Sequence, residues 1–208
     1  MDTWASITAL RTELIEQLAA LPVQRWDEPT LCERWQVRHV VAHLTLPEHM
    51  SFFTVVGSLA RAGFSLNRMI DQDAITKGSA PVPDVIEAYR DGIRRRTTPP
   101  TRTAEHLLLD LFTHAQDIRR PLGLPWSYQP EVLELVAGTA FADGRLKMAE
   151  RAVGLRLVGI DTGWSVGTGP EVTGTTEALI MAMEQRPVAL RELQGPGTET
   201  FASRMAKN

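Results

Sequence analysis

The sequence predicts a mainly α-helical protein, an up-down helical bundle with a small α+β appendage at its C-terminal end. Three observations lead there. Apolar residues recur at helical spacing through the part of the chain before residue 154, and prolines and glycines break those runs into segments joined by short loops. After residue 154 the composition shifts to short β-branched runs separated by glycines. The boundaries read from this are a bundle over 1–153 that carries a metal site, and a small α+β domain over 154–208.

Residues 3–21 predict the first helix, because Ile7, Leu10, Leu14, Leu18 and Leu21 share a face and Pro22 follows. The stretch 22–35, with two prolines and two tryptophans, predicts a loop. A second helix begins near Gln36, with Val37, Val40, Val41 and Leu44 at i, i+3, i+4 and i+7. Pro47 interrupts it, and a kinked continuation through Phe52, Phe53 and Val56 is open. The polar stretch 71–83 predicts loop, and 84–97 a third helix ending in Arg94-Arg95-Arg96. The most strongly marked helix covers 102–119, with Arg119, Arg120, Pro121 and Gly123 as its stop. One further helix is expected over about 130–153, capped by Gly154. Strands and turns follow to Thr175, then a short helix over about 176–184 and a Gly/Pro-rich tail.

Composition narrows the function. With 208 residues, 43% of them hydrophobic and 23% charged, the chain has the balance of an ordinary globular protein. A net charge of −3 offers no basic stripe for nucleic acid, so no nucleic-acid partner is expected. No apolar run reaches the roughly 18 to 20 residues of a membrane helix, and the first residues lack the basic-then-apolar pattern of a secretory signal. Cys32 is the only cysteine, which rules out an internal disulfide and makes a reducing cytoplasm the expected compartment. It sits in a proline-containing loop among tryptophans and reads as a packed, inert thiol.

The chemistry concentrates in LLLDLFTHAQDIRRPLG (107–123). Asp110 lies in a leucine-rich run, where an unpaired carboxylate would cost several kcal/mol, so something must compensate it. His114 is one turn on and shares its face. A carboxylate and an imidazole at that spacing can grip one cation, with a third ligand from another helix. The competing reading pairs Asp110 with an arginine or with His114 itself, as a structural polar cluster. His106, one turn before Asp110, cannot join the same ion. It is about 12 Å from His114 along the axis, whereas two nitrogens on one zinc are about 4 Å apart at most. The segment QVRHVVAHL (36–44) offers His39 and His43, and the apolar stripe passes closer to His43; His49 lies just beyond Pro47. Asp117 and Arg119 are placed to orient His114 or to cap the helix. No glycine-rich phosphate loop precedes a helix, so no nucleotide cofactor is expected.

The run WDEPTLCERWQVRHVVAHL (26–44) resembles the opening signature of the mycothiol-dependent maleylpyruvate isomerase family, a branch of the DinB-like metal-binding helical bundles. DLFTHAQDIRRPLG (110–123) is similar to that family's second signature, and DTGWSVGTGPEVTGTTEAL (161–179) to its C-terminal piece. The resemblance implies a divalent metal, zinc by preference, held by His43, Asp110 and His114. It implies mycothiol as a thiol cofactor whose sulfur the metal activates, and a small electrophilic substrate. Two departures stand out. Asp110 replaces the family's usual glutamate, and Gln185-Arg186 replaces its usual Gly-Arg; Arg186 is carried over as a substrate contact. The implied activity is an isomerase or a thiol S-transferase, with a non-catalytic bundle that binds a small ligand or a metal as the alternative. A homodimer remains open.

Overall fold

A computed structural model of the protein describes residues 1–45, 63–99 and 102–206. Among these it is mostly helical, with one three-stranded sheet. The chain divides into two compact units: one holds residues 2–107 and 114–125, the other 108–113 and 126–208. The long helix α5 (Ala104–Leu122) contributes residues to both units. The helix that follows residue 125 (Pro130–Ala142) packs within the second of these units, on Thr176–Met183.

In the first unit, α1 (Thr3–Ala19) starts at Asp2, whose carboxylate accepts from Trp4 N and Ala5 N, and it buries Ile7, Leu10, Leu14, Ile15 and Leu18. A 3-10 turn (Val23–Asp27) buries Trp26. Helix α2 (Val37–His43) buries Val37, Val40, Val41 and Ala42, so its valine stripe is core as the spacing predicts. His49, Phe52, Phe53 and Val56 fall outside the described residues.

The stretch expected as loop is largely helix: α3 runs Leu66–Gly78. Ser65 caps it through Arg68 N, and Asp73 pairs with Lys77 at i, i+4. Its buried side is Met69, Ala74 and Gly78, too small and too sparse to show as a periodic apolar stripe. Smallness is the point: a Cβ on Gly78 would stand 2.9 Å from the Arg38 carbonyl oxygen and 2.7 Å from the His39 ring, so only glycine lets α3 cross α2 this closely. Helix α4 (Val82–Gly92) is shorter than expected and buries Val82, Val85 and Tyr89. Arg11 of α1, itself buried, closes its end by donating to the Gly92 carbonyl.

Helix α5 continues three residues past the expected stop. Gly123 takes φ +65° beyond its end, and Leu124 N reaches back to the Arg119 carbonyl, a glycine cap of the kind the sequence announces. Pro121 sits inside the last turn and has no N–H for the carbonyl four residues back, that of Asp117. Leu31 N takes that place at 3.0 Å, so the proline's missing donor becomes the anchor of the loop that carries Cys32.

In the second unit, the single helix expected over 130–153 is two, α6 (Pro130–Ala142) and α7 (Met148–Arg151). Asp143 breaks them by accepting from Arg145 N and Arg145 Nε, a local side-chain turn that competes with the helix. The sheet has order β2-β1-β3, with β1 (Arg156–Gly159) antiparallel to β2 (Ser165–Gly167) and parallel to β3 (Glu171–Gly174). Leu157 stands opposite Val166 and Val172. Helix α8 (Thr176–Met183) is buried at every residue and packs on α6, β1 and β3. The tail is ordered into α9 (Pro187–Leu190) and α10 (Thr198–Met205), the second anchored by Phe201 and Met205.

Candidate functional site

Helix α5 buries Leu107, Leu108, Leu109, Leu111, Phe112, Ala115 and Ile118, yet keeps polar residues among them. Thr113, Gln116, Asp117 and Arg119 are buried, while Asp110 and His114 are half-buried. Asp110 is thus less enclosed than its leucine-rich surroundings predict. Arg119 is fully enclosed and donates to Gln17 Oε1 and Glu13 Oε1, tying α5 to α1.

Asp110 and His114 occupy one continuous helix, so their one-turn separation is set by that helix itself. His43, at the end of α2, brings its ring to 4.8 Å from that of His114, nearly edge-on. Trp35, almost fully buried, lies with its ring 4.9 Å from His43 and 5.9 Å from His114, an apolar wall against both imidazoles.

The other described histidines, His106 and His39, are engaged elsewhere. His106 accepts from Thr103 N through Nδ1 and caps the start of α5. His39 does the same at the start of α2, where Nδ1 accepts from Gln36 N. Burial, and then the Arg38 charge, hold the His39 imidazole below its ordinary range, which keeps that nitrogen an acceptor.

A second group adjoins the first. Asp117, with no exposure, places Oδ2 2.9 Å from His114 Nδ1 and accepts from Cys32 Sγ at 3.0 Å. Sγ is 3.6 Å from the same ring nitrogen. Cys32, His114 and Asp117 are therefore a compact trio, and Cys32 is half-buried rather than packed away. The neighbours of Cys32 come from 82 and 85 residues further on. No local pattern around Cys32 announces them; the nearest signal is Pro121, four residues after the carbonyl that anchors its loop. Cys32 and His114 also line an open cleft of about 300 Å³ with Glu33, Arg34, Trp35 and Asp71.

In the second unit, Arg186 follows Gln185, which holds φ +63°, the left-handed region where a glycine would be unstrained. Arg186 donates to the Glu184 carbonyl at 2.6 Å, turning back on its own chain. Burial pushes the Glu184 carboxyl above its ordinary range; the charges of Arg145 and Arg186 oppose that shift, and those of Asp110 and Asp143 add to it. Arg186 and Asp110 thus act on the same carboxyl.

The class of protein is a helical one whose polar residues gather on one buried helix, with histidine and carboxylate donors facing each other. Residues 7–105 match the family model described as the mycothiol maleylpyruvate isomerase N-terminal domain. The fold agrees along nearly the whole chain. It superposes on a crystal structure of the mycothiol-dependent maleylpyruvate isomerase with TM-score 0.62 at 13% identity, covering 95% of this chain and 92% of that one. A histidine-to-alanine mutant of that enzyme gives TM-score 0.64 at 12% identity over the same shares. No curated protein sequence matches the chain. Among the described residues, no helix is long and apolar enough to cross a membrane.

Proposed function

We propose that this protein is a metal-dependent, mycothiol-using enzyme that acts on a small electrophile, as a maleylpyruvate isomerase or as a thiol S-transferase. The observation that carries the reading is the meeting of the His43 and His114 rings, 4.8 Å apart, with Asp110 one turn before His114 on the same helix. Two imidazoles and a carboxylate suit Zn2+ and leave one coordination position exchangeable. When bound, the metal acidifies a thiol at that position, so that the cofactor sulfur is a nucleophile at neutral pH.

The chain's own residues supply the rest. Asp117 fixes the His114 ring through Nδ1, which leaves Nε2 as the nitrogen for the ion, the usual carboxylate–histidine support of a metal ligand. Trp35 keeps water from one side of both rings. The cleft beside His114 gives the cofactor a way in. Arg186 supplies the cation for a substrate carboxylate, and its turn is held by its own bond to the Glu184 carbonyl. The cytoplasm is the proposed compartment, where low-molecular-weight thiols stay reduced.

Metal content measured by mass spectrometry on untagged protein, after dialysis against a competing chelator, tests the site. Wild type is expected to keep near-stoichiometric zinc, and His43→Ala and His114→Ala to lose it. Wild-type protein that stays empty after zinc is added would overturn the metal reading. Zinc-loaded protein that consumes neither maleylpyruvate nor other electrophiles in the presence of mycothiol would instead favour a binding protein without catalysis.

A further inference from the structure

His114 is common to two donor groups, and a neutral imidazole has one lone pair to give. One nitrogen carries the proton and the other ligates. With the proton on Nδ1, shared with Asp117 at 2.9 Å, the ring serves the His43 and Asp110 side through Nε2. With the proton on Nε2, Nδ1 becomes a donor beside Cys32 Sγ and Asp117 Oδ2.

We infer that Cys32, Asp117 and His114 Nδ1 form a second, alternative seat for a thiophilic divalent cation such as Cd2+, and that filling it excludes the first seat. Sγ and Nδ1 are 3.6 Å apart, about the separation that zinc-length bonds of roughly 2.3 and 2.0 Å impose at a tetrahedral angle, and a larger thiophilic ion needs the pair only slightly wider. Asp117 stands 3.0 and 2.9 Å from the other two, hydrogen-bond lengths that must open by about half an ångström to admit an ion. The seat is built rather than incidental. Asp117 is wholly enclosed, and Leu31 N fastens the Cys32 loop to the Asp117 carbonyl. Cys32 and His114 both line the cleft, which provides the entry path.

On entry the cation displaces the thiol proton to solvent, and the ring proton moves from Nδ1 to Nε2. Sγ, Nδ1 and Oδ2 bind the ion, and no electron is transferred. Sulfur makes this the softer of the two seats. It depends on the proposed zinc site only through the shared ring, so the two can fail separately.

Because Cys32 is the only cysteine, thiolate-to-cadmium absorption reports on it alone. The experiment titrates Cd2+ into the full-length His43→Ala variant and into Asp110→Ala, each checked for helical content by circular dichroism. The expected result is a near-ultraviolet charge-transfer band saturating at one Cd2+ per chain in both variants. Adding Cys32→Ser to either should abolish the band and weaken Cd2+ binding at least tenfold. Cd2+ binding without the band, or no binding by folded variants, overturns the second seat and leaves the trio as hydrogen-bonded support for His114. Wild type that holds no zinc while the variants show the band would overturn the first seat and keep the second.

Discussion

Helices α5 and α8 are both deeply buried, and they differ in where they keep their polar groups. Helix α8 is enclosed over its whole length, keeps its buried polar residues Thr176 and Glu177 in its first turn, and is followed by Glu184, Gln185 and Arg186 just past its end. Helix α5 carries Asp110, Thr113, His114, Gln116 and Asp117 within its middle turns. A polar group inside a helix inherits the fixed one-turn spacing of the helix, so Asp110, His114 and Asp117 are prearranged before any other element arrives. A polar group just past a helix end is set by the turn, and at Gln185 the turn is strained.

Four substitutions sharpen or break that comparison. The largest effect is expected from Leu179→Ala in α8, which opens a cavity at a fully enclosed side chain. Denaturant unfolding should show a loss of about 2–5 kcal/mol, with zinc content unchanged in the protein that stays folded. If zinc falls with stability, the two helices are not separable in function. Asp117→Ala should cost about 1–3 kcal/mol, because the His114 and Cys32 donors lose their shared buried acceptor. Zinc affinity should fall about 10–100-fold, read by competition with a chromophoric chelator. An unchanged affinity would remove Asp117 from the support of the site.

Gln185→Gly acts in the other direction. A left-handed non-glycine residue costs about 1–2 kcal/mol, and the freer unfolded chain returns about 0.4–1 of that. The variant should therefore be more stable by about 0.5–1 kcal/mol in thermal or denaturant melts. Loss of stability would mean that the Gln185 side chain makes contacts that outweigh its strain.

The smallest effect concerns pH. His39 is held below its ordinary value of 6.5, chiefly by burial, and its neutral Nδ1 accepts the Gln36 N–H at the start of α2. An imidazole with a depressed folded value contributes stability that is present above 6.5. That stability is lost as pH falls through 6.5 and on through the lowered folded value. His39→Gln should flatten the stability profile over that window, by no more than about the 1 kcal/mol of a helix cap. A profile identical to wild type would show that His39 does not titrate with folding.

Much of the fold could be read from the chain because its signals are local. The valines of α2, the leucines of α1 and the arginine-proline-glycine stop of α5 each act within a turn or two of themselves. The misread elements are those whose cause is remote or small. Helix α3 hides its buried side in Ala74 and Gly78, and the break at Asp143 depends on one side chain folding back on Arg145. The same divide runs through the site. Asp110 and His114 were legible because helix period alone pairs them.

By itself, the sequence determined the helical class, the one-turn pairing on α5 and the region that supplies a facing histidine. Those follow from backbone periodicity and from the cost of leaving a polar group among leucines. Only the tertiary structure closed the distance between the His43 ring, which the apolar stripe already favoured over His39, and that of His114, itself held by Asp117. It alone placed Cys32 against both. Those contacts join segments that are remote in the chain, and they form when Pro121 withholds an amide and a loop amide from Leu31 takes the carbonyl left over.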